Sequence, residues 1–193
     1  MLKYLYEPFK KWSDGGQVWV YSDPHFEDNN CKLMSEDWPT PQEQIVKINS
    51  KVGKNDTIII LGDIGNPEYI KQIKGYKVML AGNHDKGLSN YSMFDEVYGG
   101  PLMISDKIIL SHEPCGVPWA LNIHGHDHSD WAKDSEFPHV NVCSNIIGYT
   151  PITLDSIVKS GKVKMVESIH RLAIDKANEN PIHGRSEATP KEV

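Results

Sequence analysis

Residues 57–63 read TIIILGD and residues 77–84 read KVMLAGNH. Each is a short apolar run that stops on a glycine followed by a polar side chain. Residues 17–23 (QVWVYSD) are a similar apolar run that ends in Ser-Asp. Runs of this length, β-branched and apolar on both faces, predict strands covered on both sides. Working outward, Leu102–Ser105 and Lys107–His112 predict two strands joined at Asp106, and Leu121–His126 and His139–Asn145 follow. Between the early strands lie helical segments. Gln42–Val52 carries Ile45, Ile48 and Val52 at spacings of three and four, one apolar stripe. Pro67–Lys74 is shorter, with Asn66 as its cap and Pro67 at the first helical position. The first half therefore alternates strand and helix and the second half is mostly strands, which predicts a layered α/β domain.

The chain has 193 residues, long enough for a hydrophobic core without disulfide staples. Its net charge of −6 provides no overall field to recruit nucleic acid or an anionic membrane. No apolar run approaches the ~20 residues that span a bilayer, and residues 1–12 lack a continuous apolar stretch, so a cytoplasmic protein without a signal peptide is expected. Cys31, Cys115 and Cys143 are odd in number and widely spaced, which fits three reduced thiols. Residues 1–16 read as an aromatic extension with Tyr4, Tyr6, Phe9 and Trp12, residues 17–172 as the domain, and residues 173–193 as a flexible tail.

The polar residues fall at the strand ends. The first run ends in Asp23-Pro24-His25, the second in Gly62-Asp63, and the third in Gly82-Asn83-His84-Asp85. Later runs end in Ser111-His112 and His124-Gly125-His126. Five of the nine histidines sit at these ends, where ligand sites of α/β sheets gather. Residues two apart on an extended chain point to one side, so Asp23 with His25, and His124 with His126, are expected to reach one ion together. A core does not end so many strands in carboxylates and imidazoles unless they are paired or metal-bound, because buried polar groups otherwise cost free energy.

The ordered set SDPHF, LGDIGN, AGNHD, LSHEP and NIHGHDH, from Ser22 to His128, resembles the calcineurin-like metallophosphoesterase superfamily, in particular its small stand-alone bacterial and phage members. The resemblance implies a β-sandwich flanked by helices (αββα) and a dinuclear, metal-dependent phosphoesterase. By the same resemblance, one metal is held by Asp23, His25, Asp63 and His126, and the other by Asp63, Asn83, His112 and His124. His84 stands beside the bound phosphate as general acid. Two divalent ions outweigh the charge of Asp23, Asp63 and a bridging hydroxide, so the pocket attracts a phosphate although the chain is acidic. Mixed imidazole and carboxylate ligation favours a transition metal, most simply Mn²⁺, with Fe, Zn, Ni or Co as alternatives.

The chain departs from the protein phosphatases of that superfamily in two places. Pro67 stands where their phosphate-binding Arg would be, and Asn66 replaces the Asp that orients the catalytic histidine. Asn66 is still expected to accept from the His84 ring. The missing Arg leans the reading toward a small or nucleotide-like phosphodiester, with a phosphomonoester or a scaffold protein lacking turnover as alternatives. Long nucleic acid is not expected as a partner. His128 extends the histidine alternation and is left between a phosphate contact and an exposed polar residue. Asp85 reads as a turn residue.

Overall fold

A computed structural model describes residues 2–87 and 91–179. Among the described residues nine strands form two mixed sheets: β1 Val18–Tyr21, β2 Thr57–Ile60, β3 Tyr76–Leu80, β4 Glu96–Tyr98, β5 Leu102–Ser105, β6 Ile108–Ser111, β7 Leu121–His124, β8 His139–Asn141 and β9 Ile152–Thr153. The first sheet runs β4-β3-β2-β1-β9, parallel except for β9. The second runs β5-β6-β7-β8, parallel except for β5, which forms the expected hairpin with β6. β4 and β9 are too short and too mixed in polarity to stand out in the sequence.

Strand alternation explains why β1, β2 and the Val78–Leu80 end of β3 bury apolar side chains on both faces. Val18, Val20, Ile59, Leu61, Val78 and Leu80 face one core, shared with Ile104, Ile108, Leu110, Leu121 and Ile123 of the second sheet. Tyr21, Ile58, Ile60 and Met79 face the other way, onto Ile45, Ile48 and Val52. Ile45 and Ile48 of the predicted stripe are the buried face of α2, Pro41–Asn49, while Val52 lies three residues past the helix end and is buried in the same cluster. Thr40 and Glu43 close a capping box at its start, satisfying donors that would otherwise be orphaned. The segment after Asn66 is a 3-10 helix, Pro67–Gln72, and Asn66 caps it by accepting from Glu68 N–H at 3.1 Å.

The aromatic extension packs into the same core as the sheets. Leu5, Phe9 and Trp12 are buried around a 3-10 helix, Glu7–Ser13, and the Trp12 indole donates to Glu96 Oε1 at 2.9 Å. α1 spans Cys31–Met34 and α3 Leu154–Lys159. α4, Ile169–Glu179, carries the chain past the boundary expected at residue 173, and the rest of that expected tail lies outside the described residues. Among the described residues no helix is long and apolar enough to cross a membrane. All three cysteines are free thiols.

Candidate metal centre

The chain segments leaving β1 and β2 run side by side. Asp23, His25 and Phe26 N–H groups donate to the carbonyls of Gly62, Asp63 and Ile64 at 3.1, 3.1 and 2.9 Å. Gln44 of α2 pins the first segment by donating to the Pro24 carbonyl at 2.9 Å. Asp85 ties the third loop to the second: its carboxylate accepts from the N–H groups of Asp63 (2.8 Å), Ile64 (3.1 Å) and Gly82 (2.8 Å), and from the Tyr91 hydroxyl (3.0 Å). What read as a turn residue is therefore a clasp. The second sheet joins through a parallel bridge between Ser22 and Cys143.

These loops are strained. Asp23, His25, Asp63 and His126 all have positive φ, between 44° and 63°. Each such residue costs about 1–3 kcal/mol and persists only where its surroundings over-determine it, typically at functional sites. Gly125 supplies close approach: a Cβ there would overlap Ser22 Oγ and Asp23 Oδ2. Asp23 Oδ2 instead accepts from His126 N–H at 2.9 Å, which locks the β7 loop to the β1 loop.

Among the described residues three groups of metal-capable atoms result, two of them at the meeting of these loops. Asp23, His25 and His128 form one, with His25 Nε2 3.9 Å and His128 Nε2 3.7 Å from Asp23 Oδ1. Asp63, His112 and His126 form the other, with Asn83 Oδ1 2.8 Å from His112 Nε2 and 3.1 Å from His126 Nδ1. Asp63 Oδ2 lies between the groups, 3.7 Å from His25 Nε2 and 3.4 Å from His112 Nε2. The His84 ring stands at the edge, exposed, with Nε2 4.0 Å from Asp63 Oδ2. Its backbone N–H donates to Asp63 Oδ1 at 2.9 Å.

Three sequence expectations change. His124 does not join either group. Its Nδ1 faces the Gly125 carbonyl at 2.8 Å and its Nε2 faces His139 Nδ1 at 2.9 Å, so both ring nitrogens are engaged inside the second sheet. His126 lies beside Asn83 and His112, where His124 was expected, and His128 lies beside Asp23 and His25, where His126 was expected. Those placements were implied by the resemblance; in the structure the backbone turns left-handed at His126 and also at Asp23 and His25. The residues brought together follow Gly125-His126-Asp127-His128, a G-H-x-H spacing visible in the sequence. Asn66 does not touch His84: its amide donates to Glu27 Oε2 at 2.6 Å, on top of its capping bond.

The donor chemistry fits a cation. Asp23 Oδ1 is buried with no hydrogen-bond partner, a costly arrangement for a carboxylate oxygen facing two imidazoles. His112 Nδ1 faces the Leu61 carbonyl at 2.8 Å and must carry a hydrogen, so its Nε2 is the atom offered to Asp63 and Asn83. Burial disfavours the charged His112 ring, but the bond to Asp63 and the charges of Asp23 and Asp63 outweigh it and raise its pKa to about 9. In the ion-free protein a proton thus occupies the place a metal would take. Burial lowers the pKa of His25, against the pull of Asp23 and Asp63, which favours the neutral ring that ligation needs. A third group, His25, Asp28 and Cys31, is less suited: burial pushes the Cys31 thiol up to about 12, away from the thiolate that binds metals.

Beside His25 opens a cavity of about 480 Å³ walled by Trp38, Pro39, Asp28 and Lys32. The Trp38 ring packs on the rings of His25, His128 and Tyr149, with centroids 6.1, 5.6 and 5.5 Å away.

No protein-family profile matches the chain. An uncharacterized protein of Methanocaldococcus jannaschii is 28% identical over 180 residues, covering 81% of this chain and 98% of that protein. The crystal structure of a protein of unknown function from Aquifex aeolicus superposes with a TM-score of 0.62 at 24% identity, covering 74% of this chain and 98% of that one, so the fold is shared. Pseudomonas putida nuclease MPE superposes with a TM-score of 0.43 at 17% identity over 56% of this chain and 60% of its own, too remote to bear on function.

Proposed function

We propose that the chain is a metal-dependent phosphoesterase with the layered β-sandwich of the calcineurin-like superfamily, acting on a small or nucleotide-like phosphodiester. The observation that carries this reading is the buried, partnerless Asp23 Oδ1 facing His25 and His128, next to a second donor group that shares Asp63. Asp23, His25, Asp63 and His128 would hold one divalent ion, and Asp63, Asn83, His112 and His126 the other. Mn²⁺ suits this nitrogen and oxygen donor set, as do Fe, Zn, Ni and Co. When bound, such a pair of ions supplies Lewis acidity toward phosphoryl oxygens and charge stabilisation in the transition state.

The chain's own residues do the rest. The clasp of Asp85 keeps Asp63 and the Asn83 loop in register, so the donors are pre-organised. The exposed His84 ring is free to meet a leaving oxygen and give it a proton. The cavity beside His25 offers room for the ester's substituent, with Trp38 as a flat wall. Pro67, in a 3-10 helix, supplies no charged fork for a dianionic monoester, which favours a diester.

The test is hydrolysis of bis(4-nitrophenyl) phosphate and 4-nitrophenyl phosphate by Mn²⁺-loaded protein, together with metal analysis. The expected result is two ions per chain, a higher kcat/KM for the diester, and loss of turnover on chelation. Protein that retains no ion and hydrolyses neither ester refutes the proposal. A higher kcat/KM for the monoester overturns the diester preference alone.

A further inference from the structure

The segment after β8, Val142-Cys143-Ser144-Asn145, has no part in the ligand groups, yet it holds two of their members. Ser144 N–H donates to the Ser22 carbonyl at 2.9 Å, and Ser144 Oγ donates to the Asp23 carbonyl at 2.7 Å. One residue on, the Asn145 side chain meets His128 twice. Asn145 Nδ2 donates to the His128 carbonyl at 2.7 Å, and Asn145 Oδ1 lies 3.0 Å from His128 Nδ1.

These two bonds decide a proton. A backbone carbonyl only accepts, so the amide NH₂ must face it and the amide oxygen must face the ring. A ring nitrogen 3.0 Å from an amide oxygen is stable only as a donor. The second neighbour of Nδ1, Cys143 Sγ at 3.1 Å, does not change this. Burial holds the Cys143 thiol well above its ordinary pKa, so it is neutral and a weak acceptor. With hydrogen on Nδ1, neutral His128 carries its lone pair on Nε2. That atom points at Asp23 Oδ1 from 3.7 Å, beyond hydrogen-bond reach.

We propose that Asn145 is a positioning residue that fixes His128 as the Nδ1–H tautomer and aims its Nε2 lone pair into the Asp23 and His25 ion site. The consequence for ion binding rests on the metal reading above; the tautomer does not. Outer partners of this kind typically contribute 10–100-fold in metal affinity. The Asp63, Asn83, His112 and His126 group makes no contact with Asn145 among the described side-chain hydrogen bonds, so the effect falls on one ion.

The experiment uses the full chain, ¹⁵N-labelled and metal-free, at a pH where His128 is neutral. Long-range ¹⁵N–¹H correlation reads the tautomer of each histidine, and a Zn²⁺ titration reads stoichiometry and affinity. Wild-type protein is expected to show His128 as Nδ1–H and to bind two equivalents. Asn145→Leu is expected to lose that tautomer signature and to bind one equivalent about 10–100-fold more weakly. Asn145→Asp, which keeps an acceptor for Nδ1–H but loses the donor to the His128 carbonyl, is expected to keep the tautomer and to recover Zn²⁺ affinity only in part. His128 found as Nε2–H in wild type overturns the proposal, and this needs no variant to fold. An Asn145→Leu protein with unchanged tautomer and unchanged Zn²⁺ affinity overturns it as well. Wild-type protein that shows the Nδ1–H form but takes up no Zn²⁺ refutes the metal reading and, with it, the ion-site half of the proposal.

Discussion

Replacing Asp85 by alanine removes the carboxylate that accepts from Asp63, Ile64 and Gly82 N–H and from the Tyr91 hydroxyl. Hydrogen bonds to a charged group contribute about 1.5–3 kcal/mol each when measured singly. Four that share one acceptor are not additive, and Asp85 is only half-buried, so water takes over part of the loss. A net cost of about 3 kcal/mol is the expected size. For a chain of this length each kcal/mol moves Tm by about 2–4 °C, giving a drop of about 6–12 °C. The same substitution releases Asp63 from its positive φ and lets the Asn83 loop drift, so affinity for added Mn²⁺ falls along with Tm. Asp85→Asn retains one acceptor oxygen but turns its NH₂ toward N–H donors, and should lie between wild type and alanine. Differential scanning calorimetry with and without Mn²⁺ reads both quantities. A Tm within about 2 °C of wild type, with unchanged Mn²⁺ affinity, refutes the clasp.

Three further outcomes separate the site's parts. His128→Asn should cost one equivalent of metal by elemental analysis, whereas His124→Asn should leave both equivalents and lower stability by about 1–3 kcal/mol through the stranded His139; the opposite pattern would restore the reading in which His124 is the ligand. Gly125→Ala cannot place its Cβ without displacing Asp23, so metal uptake should fall sharply while the far core, read by near-ultraviolet circular dichroism, stays native. In ion-free protein, His112 has a folded pKa of about 9 against 6.5 for the ordinary ring. A raised pKa means its contribution is fully present below about 6.5 and is lost as pH rises through about 9. Denaturant unfolding should therefore show stability falling over that window without ions, and addition of Mn²⁺ near pH 7.5 should release a proton to the buffer; no release and a flat profile would count against the raised His112 pKa.

Strand placement and the apolar helix stripe were legible because they depend on local periodicity: TIIILGD has to be a covered strand, and Ile45, Ile48 and Val52 have to face it. The choice of histidines was not, because it depends on the backbone after the strand. Counting from an extended chain puts His124 and His126 on one side, but with a left-handed turn at His126 it is His126 and His128 that enter the two donor groups, one in each. That turn is held by Asp23, more than a hundred residues earlier, accepting from His126 N–H. The roles of Asp85 and Asn145 were hidden for the same reason: each acts through hydrogen bonds to loops distant in sequence. Composition and period thus determined which layers form and which ends carry polar groups. Packing between the loops decided which imidazoles gather into the candidate donor groups, because only there do positive φ, close approach and proton placement acquire partners.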